Sequence, residues 1–230
     1  FIGCWPREFS GTSSSETRFG GIAVDANIRT LKEALSIVGG LGKPSKMPGF
    51  SYGIPARRCK IGAVLAKLPN SVCSDCYAMK GRYVFENVQK AQERRFRSLQ
   101  DPRWVDAMVF AITHYRCKWF RWHDSGDLQG FNHLELLCEV ARRCPNTNFW
   151  LPTRERAIIR YFKGTIPPNL LVRVSGTMID GPAPKDFPYT SRVVTSTADV
   201  TCPAYSQGGK CGDCRACWSP TVANVNYPHH

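Results

Sequence analysis

Residues 118–127 read KWFRWHDSGD, and this stretch decides the fold class. Its aromatic first half, Lys118 to Trp122, predicts a short buried β-strand, and the polar residues His123 to Asp127 follow at once. The next segment, Phe131 to Arg143, has the apolar spacing of an amphipathic helix. A strand, a polar turn and a helix in this order are the first unit of a β/α fold.

The same alternation continues toward the C-terminus. Further predicted elements are strands at Asn148–Leu151, Leu170–Val174 and Arg192–Thr195, and a helix at Glu155–Phe162. Strands that alternate with helices pair in parallel. We therefore expect an α/β fold, a partial or small (β/α) barrel with cysteine-rich segments at both ends. A doubly wound open sheet is the alternative.

The N-terminal half is less regular. Helices are predicted at Asn27–Val38, which Gly39 and Gly40 end, at Phe85–Leu99, and from Pro102 to about Tyr115. Residues 42–53 read as a loop, and 57–83 as mostly irregular chain. The expected organisation is a flexible arm at 1–20, a single domain at 21–220 and a C-terminal tail at 221–230.

Polar residues follow the predicted strands, where parallel α/β folds place their sites. Four of them are candidate catalytic groups: His123, Asp124, Asp127 and Arg154. His123 would donate or accept a proton near neutral pH, and Arg154 would hold a phosphate or carboxylate. Helix capping is the simpler explanation for Ser, Thr and Asp at such places, and we prefer it for Thr153.

Composition narrows the class of protein. The chain has 230 residues, 43% of them hydrophobic, and a formal net charge of +13. A basic chain suits a polyanionic partner such as nucleic acid or a nucleotide, although a basic surface also serves solubility. No apolar run is long enough to cross a membrane and no signal peptide is recognisable, so we expect a cytoplasmic protein without a membrane partner.

Four of the eleven cysteines form a compact group near the C-terminus, Cys202, Cys211, Cys214 and Cys217. The last three have the spacing CxxCxxC, which puts three thiolates on one tight turn system where all can face one [4Fe-4S] cluster, and Cys202 is the obvious fourth ligand. Structural zinc is the main rival, but it more often shows two separated CxxC pairs. We therefore predict an iron–sulfur cluster here.

A second group consists of Cys59, Cys73 and Cys76. Three thiolates would leave one iron of a second four-iron cluster open to a small molecule such as S-adenosylmethionine. The same residues would alternatively complete the C-terminal cluster or act as a redox dithiol, and the sequence leaves these alternatives open. Cys117 and Cys138 read as core residues.

Three blocks in order carry a resemblance to a known family. They are Cys59 with Cys73-x-x-Cys76-Tyr77-Ala78, then Arg121 to Asp127, then Cys202-Pro203-Ala204 with Cys211, Cys214 and Cys217. Together they resemble the bacteriophage gene product 88 family, over residues 45–220. The resemblance implies a phage-encoded iron–sulfur protein with a radical-SAM-like partial barrel, acting in the host cytoplasm. The signature CxxxCxxC of radical-SAM enzymes is replaced here by a first gap of 13 residues.

Three functions are consistent with these features. The first is a radical-SAM-like enzyme acting on a nucleotide or another anionic substrate. The second is a non-enzymatic redox or nucleic-acid-binding protein with a structural cluster. The third is a zinc-stabilised binding module.

Overall fold

The computed structural model describes residues 18–19, 22–23 and 28–229. Most of the predicted N-terminal arm therefore lies outside the described residues. The helices are α1 Leu31–Val38, α2 Lys60–Leu65, α3 Glu86–Ser98, α4 Trp104–His114, α5 Phe131–Arg143 and α6 Arg156–Tyr161. The strands are β1 Arg18–Phe19, β2 Ile22–Ala23, β3 Phe50–Tyr52, β4 Trp119–Trp122, β5 Asn148–Thr153, β6 Leu170–Ile179, β7 Thr190–Val194 and β8 Asn224–Pro228.

The fold is mixed α/β, built on a six-stranded sheet in the order β3-β4-β5-β6-β7-β8. Every neighbouring pair in this sheet is parallel. The order follows the chain and never reverses, whereas a doubly wound sheet has a point of reversal. Among the described residues β3 and β8 do not pair, so the sheet is not closed.

One face of the sheet, the helix face, packs against α1, α4 and α5. Phe120 and Trp122 of β4 and Phe149 of β5 are fully buried there. Trp122 and Phe149 stack with ring centroids 5.7 Å apart. Apolar side chains from the three helices complete this core, among them Val38, Trp104, Met108, Leu134 and Leu137. The alternation of β4 explains this burial, because every second side chain points to the same face.

The opposite face, called here the cysteine face, is unusually polar. Arg121 lies between Phe120 and Trp122 in sequence, so its side chain points away from the helices. Its register partner is Trp150, and Arg173 of β6 follows on the same face opposite Pro152. Tyr227 of β8 shares this face as well, through the register of β6, β7 and β8. The two cysteine groups cover this face.

Most predicted helices and strands begin and end within two residues of their predicted bounds. Helix α5 has the predicted bounds at both ends. Other segments differ. Strand β3 lies inside the predicted loop at 42–53, α2 lies inside the irregular segment, and β8 lies inside the predicted tail. Strand β6 continues five residues beyond Val174 because the chain before Cys73 pairs with it: the Val72 N–H donates to Thr177 O, and the Ile179 N–H donates to Asn70 O.

Within the part of the chain that the structure describes, no helix combines the length and the apolar character needed to span a bilayer.

Candidate metal centre

The four C-terminal cysteines line one pocket. Cys202, Cys211, Cys214 and Cys217 share its wall with Pro203, Ala204, Ala216, Trp218 and Val225. All four thiols are half-buried in the described structure and none forms a disulfide. The sequence prediction that these cysteines face a common point is therefore consistent with their placement.

The backbone around this pocket is shaped by glycines with left-handed conformations. Gly208, Gly209 and Gly212 have φ angles of 60°, 74° and 52°, a region that residues with a Cβ rarely adopt. Two backbone hydrogen bonds then fix the segment: Cys202 N–H donates to Asn226 O at 3.1 Å, and Cys211 N–H donates to Lys46 O at 2.8 Å. Turns at the glycines thus bring sequence-distant thiols together.

Trp218 fastens the cysteine segment to the sheet. Its indole is 5% exposed and lies edge-on to Trp150 and Trp119, with ring centroids 5.2 and 5.7 Å away. Its Nε1–H donates to the carbonyl oxygen of Phe120 at 3.0 Å. A tryptophan placed directly after Cys217 therefore fixes the position of that cysteine against β4 and β5.

Arg173 is a fully buried cation beside the pocket. Its Nη1 donates to the carbonyls of Thr190 and Ala223, and its Nη2 donates to those of Ala216 and Val222, at 2.8 to 3.2 Å. It makes no salt bridge among the described residues, and its Nε–H has no partner there. Burial lowers the pKa of Arg173. Among the described residues, therefore, no carboxylate compensates the positive charge of Arg173.

Tyr227 completes this corner of the cysteine face. Its hydroxyl lies 3.0 Å from the Sγ of Cys217. Burial raises the pKa of Cys217 to about 11, although Tyr227, Arg121 and Arg173 lower it. Two guanidinium groups thus favour the thiolate form of Cys217, which is the form that binds metals.

The second cysteine group also comes together. A Cβ on Gly62 would stand 3.6 Å from the Sγ of Cys59 and 3.7 Å from that of Cys73, so both sulfurs face the same point. Burial, and to a lesser extent the nearby Asp127, Cys76 and Cys73, raise the pKa of Cys59 to about 12. Cys59 interacts electrostatically with Cys73 and Cys76, and these two with each other. In the C-terminal group, Cys202 interacts with the other three thiols, and Cys211 also interacts with Cys214.

A buried carboxylate positions Cys59. Glu155 is 6% exposed and accepts the Ile61 N–H through Oε1 at 2.9 Å. Cys59 immediately precedes α2, whose first turn contains Ile61. Glu155 therefore connects the end of β5 to the helix that carries the first thiol of this group.

Two of the four predicted catalytic residues lie beside this second group. The Asp127 carboxylate accepts the Thr153 hydroxyl at 2.6 Å and the Leu128 and Arg154 N–H groups at 2.8 Å. Arg154 lowers the pKa of both Cys59 and Cys73, and its Nε–H donates to Gly176 O. The Thr153 hydroxyl also accepts the Glu155 N–H. The N-cap residue of α6 is Glu155 rather than Thr153, and the cap has no side-chain hydrogen bond.

His123 and Asp124 are placed differently. His123 has a φ of 54°, which turns its ring toward α5, where it lies 5.1 Å from the ring of His133. Burial lowers the pKa of His123 well below its ordinary value, and neither ring nitrogen has a partner among the described residues. Asp124 contacts Tyr77 and Tyr83, whose hydroxyls donate to its carbonyl oxygen. The structure therefore groups Asp127 and Arg154 but not His123.

No set of three or more His, Cys, Asp or Glu side chains in the described residues is arranged to hold a metal ion. Each cysteine group is a set of neighbouring thiols rather than a closed coordination shell.

Comparison with known proteins gives one match. The model of the gene product 88 family matches residues 24–220. The chain belongs to the gene product 88 family. Searches of the curated proteins and of the solved structures find no match.

In this member of the gene product 88 family, sequence reasoning missed Arg173, Tyr227, Trp150 and Glu155. Arg173 gave a signal, since a lone arginine interrupts the apolar run Leu170–Val174. Tyr227 gave none, because it lies beyond residue 220, where the family match ends. Its role depends on β8 reaching the pocket from across the sheet.

Asp127 provides a prediction about pH. Burial raises its pKa from 3.8 to about 6, so the folded chain binds a proton more tightly than the unfolded chain does. Below pH 3.8 protonated Asp127 contributes about 3 kcal/mol to the free energy of unfolding. This contribution is lost as the pH rises through 6. We expect Asp127→Asn to remove that part of the pH dependence, measured by urea unfolding between pH 4 and pH 7. If the free energy of unfolding changed with pH by the same slope in the variant and the wild type, the raised pKa of Asp127 would be contradicted.

Proposed function

We propose that this gene product 88 family member is a phage-encoded iron–sulfur protein of the host cytoplasm. In this proposal Cys202, Cys211, Cys214 and Cys217 hold a [4Fe-4S] cluster. The observation that carries the proposal is that these four thiols line one pocket, next to a buried arginine that has no carboxylate partner among the described residues.

Charge supports an anionic group at this place. Three arginines point to the cysteine face or its edge, Arg121, Arg154 and Arg173, and no salt bridge of the described residues includes any of them. A buried cation is costly without a compensating charge. Carboxylates lie near two of them, Asp124 near Arg121 and Asp127 near Arg154, so the charge argument depends on Arg173. A four-iron cluster with four thiolates carries a charge of about −2, and it would stabilise Arg173 as Arg173 stabilises it.

The sequence spacing of the thiols favours a cluster over zinc. Cys211, Cys214 and Cys217 form a CxxCxxC run, which suits a four-iron cluster with a further cysteine as the fourth ligand. Structural zinc more often shows two separated CxxC pairs. A zinc-stabilised module is therefore the weaker proposal.

The second group suggests an enzyme. Cys59, Cys73 and Cys76 would hold a second cluster with one open iron, and Arg154 beside them is suited to the phosphate or carboxylate of an anionic substrate such as a nucleotide. Asp127 would hold a proton near pH 6 in the same place. S-adenosylmethionine is one candidate ligand for the open iron.

The principal alternative is a redox or nucleic-acid-binding protein in which the clusters are only structural or carry electrons. The basic helix α3 supports this alternative. Glu93 of α3, however, forms salt bridges with Arg57, Arg58 and Arg97. These pairs occupy cations that phosphate contacts would need.

Anaerobic purification with quantified iron, sulfide and zinc tests the proposal. We expect about eight irons in the wild type, and about four in both Cys214→Ala and Cys76→Ala, because each substitution removes one cluster. Cys138→Ala is the matched control, since Cys138 is buried in the helix-face core and its loss should leave the iron content unchanged.

Other outcomes are informative. Loss of all iron in both variants would mean that one cluster is shared by the two groups. Zinc in place of iron in the wild type would contradict the iron–sulfur proposal.

A further inference from the structure

The hydroxyl of Tyr227 is placed to act on one ligand of the C-terminal cluster. It lies 3.0 Å from the Sγ of Cys217, within the range of a hydrogen bond to sulfur. A cysteine that binds iron is a thiolate and carries no proton. In the metal-bound protein the tyrosine is therefore the donor and Cys217 the acceptor.

The fold holds this hydroxyl in position. Tyr227 lies on β8, paired with Val193 of β7, while Cys217 lies on the segment that Trp218 fastens to β4. Donor and acceptor thus belong to two independently fixed parts of the chain. The contact is set by sheet register and does not depend on a mobile side chain at the surface.

We propose that Tyr227 raises the reduction potential of the C-terminal cluster through this hydrogen bond. The inference depends on the proposed [4Fe-4S] cluster and assigns a regulating residue to it. One-electron reduction adds negative charge to the cluster and its thiolates, and a donated hydrogen bond stabilises that charge. Tyr227 lies outside residues 24–220, the part of the chain that the family model matches.

Tyr227→Phe tests the inference because it removes the hydroxyl and keeps the ring. The full-length protein is titrated anaerobically with dithionite as the electron donor, and each cluster is followed by its EPR signal. The signal that Cys214→Ala abolishes belongs to the C-terminal cluster. We expect Tyr227→Phe to move this signal to a lower potential and to leave the other signal and the iron content unchanged.

Tyr205→Phe is the matched control. Tyr205 lies three residues after Cys202 and is 59% exposed, so its substitution should change neither potential. An unshifted C-terminal signal in a fully iron-loaded Tyr227→Phe protein would overturn the inference. Loss of iron from that variant at unchanged circular dichroism would also overturn it. The hydroxyl would then be needed to assemble the cluster rather than to set its reduction potential. A wild type without iron would instead refute the proposed function itself.

Discussion

Replacing Arg173 with methionine is expected to destabilise the protein by about 3–5 kcal/mol and to abolish the C-terminal cluster. Arg173 donates to four carbonyls that belong to three different segments of the chain. Methionine fills a similar volume but removes all four bonds from this charged donor, each worth about 1.5–3 kcal/mol. Ala216 O and Ala223 O keep the backbone N–H groups of Ser219 and Thr190 as donors. It also removes a cation from beside Cys217.

Two further variants separate these contributions. Arg173→Lys keeps the charge but loses the planar fork, so we expect it to be destabilised while retaining more iron than Arg173→Met. Arg192→Met is the matched control, since Arg192 lies on the other face of β7 and its Nε–H donates to the Asn226 side chain. Urea unfolding and iron analysis provide the two readouts. Full iron in a folded Arg173→Met protein would show that its charge is not needed for the cluster.

The strands and helices that could be predicted from the sequence are those with a strong local pattern. Helix α5 has an uninterrupted apolar face, with Leu134, Leu137 and Cys138 fully buried, and its bounds follow from the sequence. Strand β3 has three residues, and β8 reads NVNYP, with two asparagines and a proline. Asparagine and proline are depleted in strands, and β3, which reads FSY, is too short to show an alternating pattern. Both segments become strands because a neighbouring strand supplies hydrogen-bond partners.

Some features of the candidate site could likewise be predicted from the sequence and others could not. Cysteine spacing predicted both thiol groups, because the CxxCxxC and CxxC spacings place thiols close together in the chain. His123 was predicted to donate or accept a proton near neutral pH, as one of four candidate catalytic groups. The left-handed backbone at His123 instead turns the ring toward His133 and the helix face, and local sequence does not reveal such a reversal. The arginines of the cysteine face became interpretable only when the register of the sheet was known.

Trp218→Ala is the second substitution with a large expected effect. The indole is almost fully buried between Trp119 and Trp150, so truncation leaves a large cavity at a cost of about 3–5 kcal/mol. It also frees the segment that carries Cys217 from β4. We expect loss of about half the iron, measured as for the cysteine variants, with the EPR signal of the second cysteine group retained.

Trp218→Phe distinguishes packing from hydrogen bonding at this position. Phenylalanine keeps a ring against Trp119 and Trp150 but lacks the Nε1–H that donates to Phe120 O. If packing holds the cysteine segment in place, Trp218→Phe keeps its iron and loses only about 1–2 kcal/mol. If both variants lose the same iron, the hydrogen bond to the sheet is the essential contact. If neither loses iron, Cys202 and Cys211, with their own bonds to Asn226 and Lys46, suffice to hold the pocket closed.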